Sequence, residues 1–236
     1  MVFDFNRIYI GSILLILIVT SYFFKLDYLI LTLISLFAFY DLIKSKFIEN
    51  NNELLISVLF LFVLYLVGIK YDYINYLNII FLTLIIIIIL KKKFIQKKLF
   101  TITVVLFLFN FYEIININRE LFYFIIFLSF FNDTLAYIFG KLIKGPLIIP
   151  SISPKKTYSG TLISFLFTCI LIYLFNYPLY LSILLSLSLF IGDIFFSFVK
   201  RMNNLKDFSN ILKGHGGMLD RLDSMFLFVV IINYYL

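Results

Sequence analysis

The sequence has no Trp, one Cys, one His and four Pro, and only 14% of its 236 residues are charged. The shortage of charge excludes a soluble domain, which carries about a quarter charged residues. The lone Cys169 excludes an internal disulfide, and its apolar neighbours make it a packing thiol. The apolar runs lack the strict polar–apolar alternation of a lipid-facing barrel. No small-residue cleavage site follows the first run, so it is expected to stay as an anchor. Trp is missing while Ile, Phe, Asn, Lys and Tyr abound, as in AT-rich coding, so the 31 Phe and 17 Tyr carry no functional weight.

What is present is apolar: 63% hydrophobic residues and a mean hydropathy of +1.06. The expected fold is an all-α polytopic membrane protein. Runs of helical length predict nine spans, near 8–24, 28–43, 54–69, 73–90, 99–117, 120–140, 160–177, 179–198 and 224–236. With the N-terminus cytoplasmic and the C-terminus outside, seventeen of the 20 Lys and Arg fall on inside segments. Only Lys25, Lys70 and Arg119 fall outside, as the excess of positive charge on cytoplasmic loops requires. The net charge of +7 is therefore a topology signal and gives no support to nucleic-acid binding. The Lys91–Lys98 run reads as a short cytoplasmic loop that fixes orientation and touches headgroups. Residues 1–119 are expected to form a scaffold with a lipid groove. Residues 120–236 are expected to form the catalytic region, with cytoplasmic loops at 141–159 and 199–223.

The polar groups are concentrated. Ser197 to Ser224 holds five basic residues, three Asp, the single His and three of the nine Gly. Such a density cannot lie along lipid, so it must face water, a cavity or a ligand. Upstream, Asp133, Asp193 and Glu113 are intramembrane or membrane-edge acids, each expected to be a site with a partner, while Asp41 is expected at the interface. Asp133 and Tyr137 share one helix face, continued by Gly140 or Lys141, and Asp193, Ser197 and Lys200 share another. Gly192, beside Asp193, would admit a close neighbour.

Two loops suit phosphate. The first, Lys141 to Gly160, contains three of the four Pro and offers Ser153, Lys155, Lys156, Thr157 and Ser159 as cations and hydroxyls. In the second, Gly214, Gly216 and Gly217 flank His215, so that backbone amides can turn inward and cradle an anion. His215 there suits phosphate contact or loop organisation better than general base. Asp220 and Asp223, at i and i+3, can share a hard divalent cation, with Asp193 as a third ligand. Arg221 could reach a phosphate or an acid.

With those residues in view, the chain resembles the phosphatidate cytidylyltransferases, also called CDP-diacylglycerol synthases. Their signature runs S-x-x-K-R, K-D, P-G-H-G-G and D-R-x-D. Here it reads Ser197, Lys200–Arg201, Lys206–Asp207, Gly214–His215–Gly216–Gly217 and Asp220–Arg221–Leu222–Asp223. NDTLAYIFGK and SPKKTYSG resemble two further family motifs, so the likeness covers Asn132 to Ser224. Lys213 stands where the family has Pro, and Tyr158 and Ser159 stand where it has Trp and Glu.

The resemblance implies that CTP and phosphatidate react to give CDP-diacylglycerol and pyrophosphate at a site facing the cytoplasm in the cell membrane. It implies Mg²⁺ held by Asp193, Asp220 and Asp223, a second, monovalent cation such as K⁺, and a homodimer. It further implies that Lys200, Arg201, Lys206, Arg221 and the Gly214–Gly217 turn bind phosphates. Ser153, Lys155, Lys156 and Thr157 would close over one of them, with Ser197 and Asp207 in the same motif and Asp133 beside the metal. The alternatives are a CTP-dependent transferase acting on an ether-lipid phosphate or a polyprenol, an ion-coupled secondary transporter using Asp133 and Asp193, and an inactive scaffold.

Overall fold

A computed structural model describes residues 5–68, 74–90, 93–212 and 216–236. Lys70, Lys91, Lys92, Lys213, Gly214 and His215 lie outside the described residues. In hydrocarbon every backbone N–H and C=O must be satisfied within the protein, and the apolar runs accordingly form helices. In order they are α1 (Phe5–Phe24), α2 (Asp27–Lys44), α3 (Asn51–Gly68), α4 (Ile74–Leu90), α5 (Lys93–Ile117) and α6 (Arg119–Ile143). There follow α7 (Tyr158–Leu174), α8 (Leu179–Met202), the single turn α9 (Leu219–Leu222) and α10 (Met225–Tyr235).

Two segments differ from expectation. The loop after α6 is an antiparallel hairpin, β1 (Leu147–Ile149) paired with β2 (Ser153–Thr157). Pro146, Pro150 and Pro154 recur every fourth residue and exclude helix there. The described end of the basic run is helical: Lys97 and Lys98 lie in the first turns of α5 and pair with Glu49 at 3.6 Å and Glu53 at 3.0 Å.

Ile95–Ile117, Arg119–Ile143 and Leu179–Met202 are long and apolar enough to cross a membrane, and five shorter apolar helices accompany them among the described residues. Outward-facing side chains such as Phe23, Phe24 and Leu90 are about three-quarters exposed, at 75%, 74% and 76%. A surface this apolar has no place in water. The protein is an integral membrane protein.

The helix α5 is central, packing against α2, α3, α4, α6 and α10. Phe226 of α10 gathers the core, its ring 4.8 Å from Phe81, 5.1 Å from Phe107 and 4.8 Å from Phe196. At the opposite end from the hairpin, Asp27 accepts from Arg119 Nε at 2.6 Å and from the Tyr123 hydroxyl at 2.5 Å, tying α2 to α6. Glu113 is buried in α5, and its Oε1 has no hydrogen-bond partner.

Helices α6 and α7 meet at Gly140 and Gly160. A Cβ on Gly160 would fall 2.9 Å from the Gly140 Cα and press on the Ala136 carbonyl. Gly160→Ala should therefore force the helices apart and cost about 1–3 kcal/mol, read as a lower melting temperature in detergent.

Candidate active site

The C-terminal ends of α2, α6 and α8 meet the hairpin and the start of α10. Asp193, on α8, accepts from the Nζ of Lys156 on β2 and, at 3.5 Å, from its own-helix neighbour Ser197. Arg201 Nε donates to the Ile152 carbonyl at 3.2 Å. These contacts lay the hairpin along α8. Arg201 also donates through Nη1 to Leu205 O at 2.8 Å, binding the following loop.

Gly192 lets α8 approach the turn into α10 backbone to backbone: a Cβ there would fall 2.6 Å from the Asp223 carbonyl and 3.1 Å from that of Ser224. Ser224 shares a 2.5 Å hydrogen bond with Ser129 of α6, and its N–H donates to the Asp223 carboxylate at 2.8 Å. Asp223 is thus buried between α6 and α8. Burial is the main reason that its carboxyl sits well above the usual carboxylate range. The charge of Asp193 pushes the same way, Lys200 opposes it, and Asp133 and Lys156 add smaller effects of opposite sign. Arg221, half-buried, acts electrostatically on Asp133.

Asp220 is occupied differently. Its Oδ1 accepts from Lys200 Nζ at 2.6 Å, and its Oδ2 accepts from the N–H groups of Phe208 at 3.0 Å and Gly217 at 2.8 Å. Gly216 has φ +78°, a conformation that favours glycine, and its missing Cβ leaves room for Asp220 Oδ2. Asp41, expected at the interface, is fully buried. It accepts from the Ser209 hydroxyl at 2.5 Å and from Leu219 N at 2.8 Å, with Gly217 packed against its carboxylate. The described part of the loop after α8 is therefore wrapped around two carboxylates, one from α9 and one from α2.

Of the other expected residues, Thr157 accepts from Gly160 N at 3.3 Å and so caps α7, and Ser159 donates to Lys144 O. Ser153 is half-buried on β2. Lys155, Lys206 and Asp207 are exposed. Among the described residues no group of three His, Cys, Asp or Glu stands in metal-holding geometry. The donor chemistry nonetheless fits a hard cation. Asp133, Asp193 and Asp223 are carboxylates close enough to act on one another, the oxygen donors that a hard cation prefers, and two ammonium groups balance the acid cluster.

The site lies within a chain matched from residue 5 to residue 236 by the sequence model of the cytidylyltransferase family. The chain belongs to the cytidylyltransferase family. Proteins named phosphatidate cytidylyltransferase are among those it resembles. That of Rickettsia bellii (strain RML369-C) is 42% identical over 111 residues, covering 40% of this chain and 48% of the relative. Those of Rickettsia conorii (strain ATCC VR-613 / Malish 7) and Bacillus subtilis (strain 168) are 39% and 40% identical, over 50% and 42% of the relatives and 42% and 44% of this chain. The chain spans about half the length of the curated relatives it matches. Asp41 lies outside the stretch that carried the family likeness, so the motifs gave no hint of it.

Removing the Asp41 carboxylate leaves Ser209 Oγ and Leu219 N without their acceptor. Asp41→Ala should cost about 2 kcal/mol or more and expose residues 203–212 to proteolysis in the folded protein. Asp223 holds its proton more tightly folded than unfolded. The cation-free protein should therefore lose stability as pH rises from the carboxylate range through the raised value. Melting curves in chelator across pH should show that fall, and Asp223→Asn should flatten it.

Proposed function

We propose that this family member joins CTP to phosphatidate, giving CDP-diacylglycerol and pyrophosphate. The observation that carries the reading is the Lys156–Asp193 pair, which sets a hairpin rich in hydroxyls and cations over the buried Asp223 and the half-buried Asp133. Polyanionic reactants need that combination, because cationic side chains must screen their repulsion and hold them in line. A phosphate oxygen of phosphatidate forms a bond to the α-phosphorus of CTP, the bond from that phosphorus to the bridging oxygen breaks, and pyrophosphate leaves. Phosphatidate supplies the attacking oxygen, so no covalent nucleophile is required.

Asp193 and Asp223 would hold Mg²⁺ with Asp133 beside them. Asp220 would join only by exchanging Lys200 for the cation, since donors already meet both of its oxygens. When bound, Mg²⁺ neutralises phosphate charge, and a monovalent cation such as K⁺ would accompany it. Lys156 and Lys200, on leaving their acids, then turn to phosphate, together with Arg201, Arg221, Lys206 and the Gly214–Gly217 turn. Ser153, Lys155 and Thr157 close over one phosphate from the hairpin.

The reading includes nine spans with the N-terminus cytoplasmic and the C-terminus outside, an active site facing the cytoplasm from the cell membrane, and a homodimer. It assigns the site to residues 120–236 and a scaffold with a lipid groove to residues 1–119. Its support is the seventeen-to-three split of basic residues and the names of the relatives.

Purified protein in liposomes should form CDP-diacylglycerol from CTP and phosphatidate, and chelator should abolish turnover. Asp193→Asn and Asp223→Asn should each lower turnover by about a hundredfold or more. Folded wild-type protein that turns over only an ether-lipid phosphate or a polyprenol phosphate, or no lipid at all, would defeat the reading.

A further inference from the structure

Two adjoining apolar cavities lie between α1 and α6, below the acid cluster. The first, of about 90 Å³, is lined by residues of α1, α2 and α6 and by Met218, Leu222 and Met225. Its one charged lining residue is Arg221. The second, of about 610 Å³, shares Ile18, Ile126 and Phe130 with the first. It extends from Thr134, next in sequence to Asp133, to Tyr22, Phe23 and Tyr123.

That far end is braced. Tyr22 and Tyr123 meet edge to face at 5.1 Å, and the Arg119 guanidinium lies 4.9 Å and 5.5 Å from their centroids. Asp27 holds both Arg119 and the Tyr123 hydroxyl. From Thr134 to Tyr123 the helix rises ~16 Å at 1.5 Å per residue, about half of the ~30 Å hydrocarbon core.

We propose that this groove seats an acyl chain of the anionic lipid acceptor, with Arg221 at its polar mouth and the Tyr22–Tyr123 pair as the floor that limits chain length. The inference rests on the proposed transfer reaction and adds the acceptor's position to it. Charge complementarity selects the occupant. A neutral lipid has no use for a guanidinium at the mouth, whereas a phosphate held there presents its oxygens to the acid cluster and sends its chain down the apolar wall. Ile126 and Val19 then act as specificity-determining residues. Ile126 lines both cavities where they adjoin, and Val19, exposed on α1, lines the larger one.

The test measures kcat/KM of the full-length protein with phosphatidates carrying eight-carbon or sixteen-carbon chains, for wild type, Ile126→Trp and Val19→Trp. Both variants should lose about tenfold or more with the long-chain acceptor. With the short-chain acceptor, and in KM for CTP, they should stay within about twofold of wild type. Val19→Trp decides alone if Ile126→Trp melts early. Equal losses on both acceptors, or unchanged chain preference, in variants that melt like wild type would overturn the groove while leaving the transfer reaction standing. Inactivity of wild type on both acceptors would instead overturn the reaction, and the groove's role with it.

Discussion

A carboxylate taken out of water must be met by donors or by opposite charge, and that requirement organises this molecule. Asp41, Asp220 and Asp223 are all under a tenth exposed. Asp41 and Asp220 are met largely by the described part of the loop that follows α8, which has almost no secondary structure of its own, with Leu219 and Lys200 supplying the rest. The loop takes its shape from those two acids. Phe208 shows the coupling: its N–H donates to Asp220, while its ring stacks on Phe100 at 5.5 Å and 2°. One residue thus anchors the loop to a charge and to the aromatic core. The family's polar motif is therefore seated on the bundle both by its own Lys200, Gly217 and Asp220 and by Asp41, Phe208 and Ser209 outside the signature.

The balance of charge at the site has a mechanistic consequence. Lys156 and Lys200 stand on Asp193 and Asp220, and Arg221 acts on Asp133. Asp223 lies among these charges with its carboxyl held protonated more readily than usual. The resting site is compensated by ammonium groups carried on long aliphatic stems. In the proposed reaction a hard cation takes over the acids, and the same ammonium groups become available to phosphates. Compensation within the resting protein and recognition of a polyanion are then two positions of the same lysines.

Much of this was legible in the sequence because lipid leaves the chain few choices. Continuous apolar runs had to become helices, and α1–α8 and α10 follow those runs closely. Asp133, Asp193 and Glu113 stand out because ionisable groups in such runs are costly, and the structure brings the first two into electrostatic contact with Asp223 while Glu113 stays apart in α5. The hairpin was read only as a loop, since three Pro announce an interruption without saying that its arms will pair. Asp41 was read as interfacial because its position, one turn from Lys44, fits a span end equally well. Its burial depends on Ser209 and Leu219, some 170 residues away, and no local pattern carries that. Asp220 was grouped with Asp223 by their i, i+3 spacing. In α9 that spacing spans the end of a single turn, so Asp220 meets Lys200 and two amides while Asp223 interacts with Asp193 and Asp133.

The two ends of α6 make different demands. Near its start Asp27, Arg119 and Tyr123 form a closed set of partners, which fixes α1 and α2 against α6. Near its other end Gly140 and Gly160 bring α7 in close, and Thr157, 2.8 Å from where a Gly140 Cβ would sit, caps α7 as the hairpin ends. Between them the wall facing α1 is apolar and loosely filled. A helix braced at both ends can leave such a gap without collapsing into it, since closing the gap would break either the charge clamp or the glycine contact. The open wall between α1 and α6 is therefore a consequence of how the ends are held. It runs from the level of the buried acids toward the opposite face of the bundle.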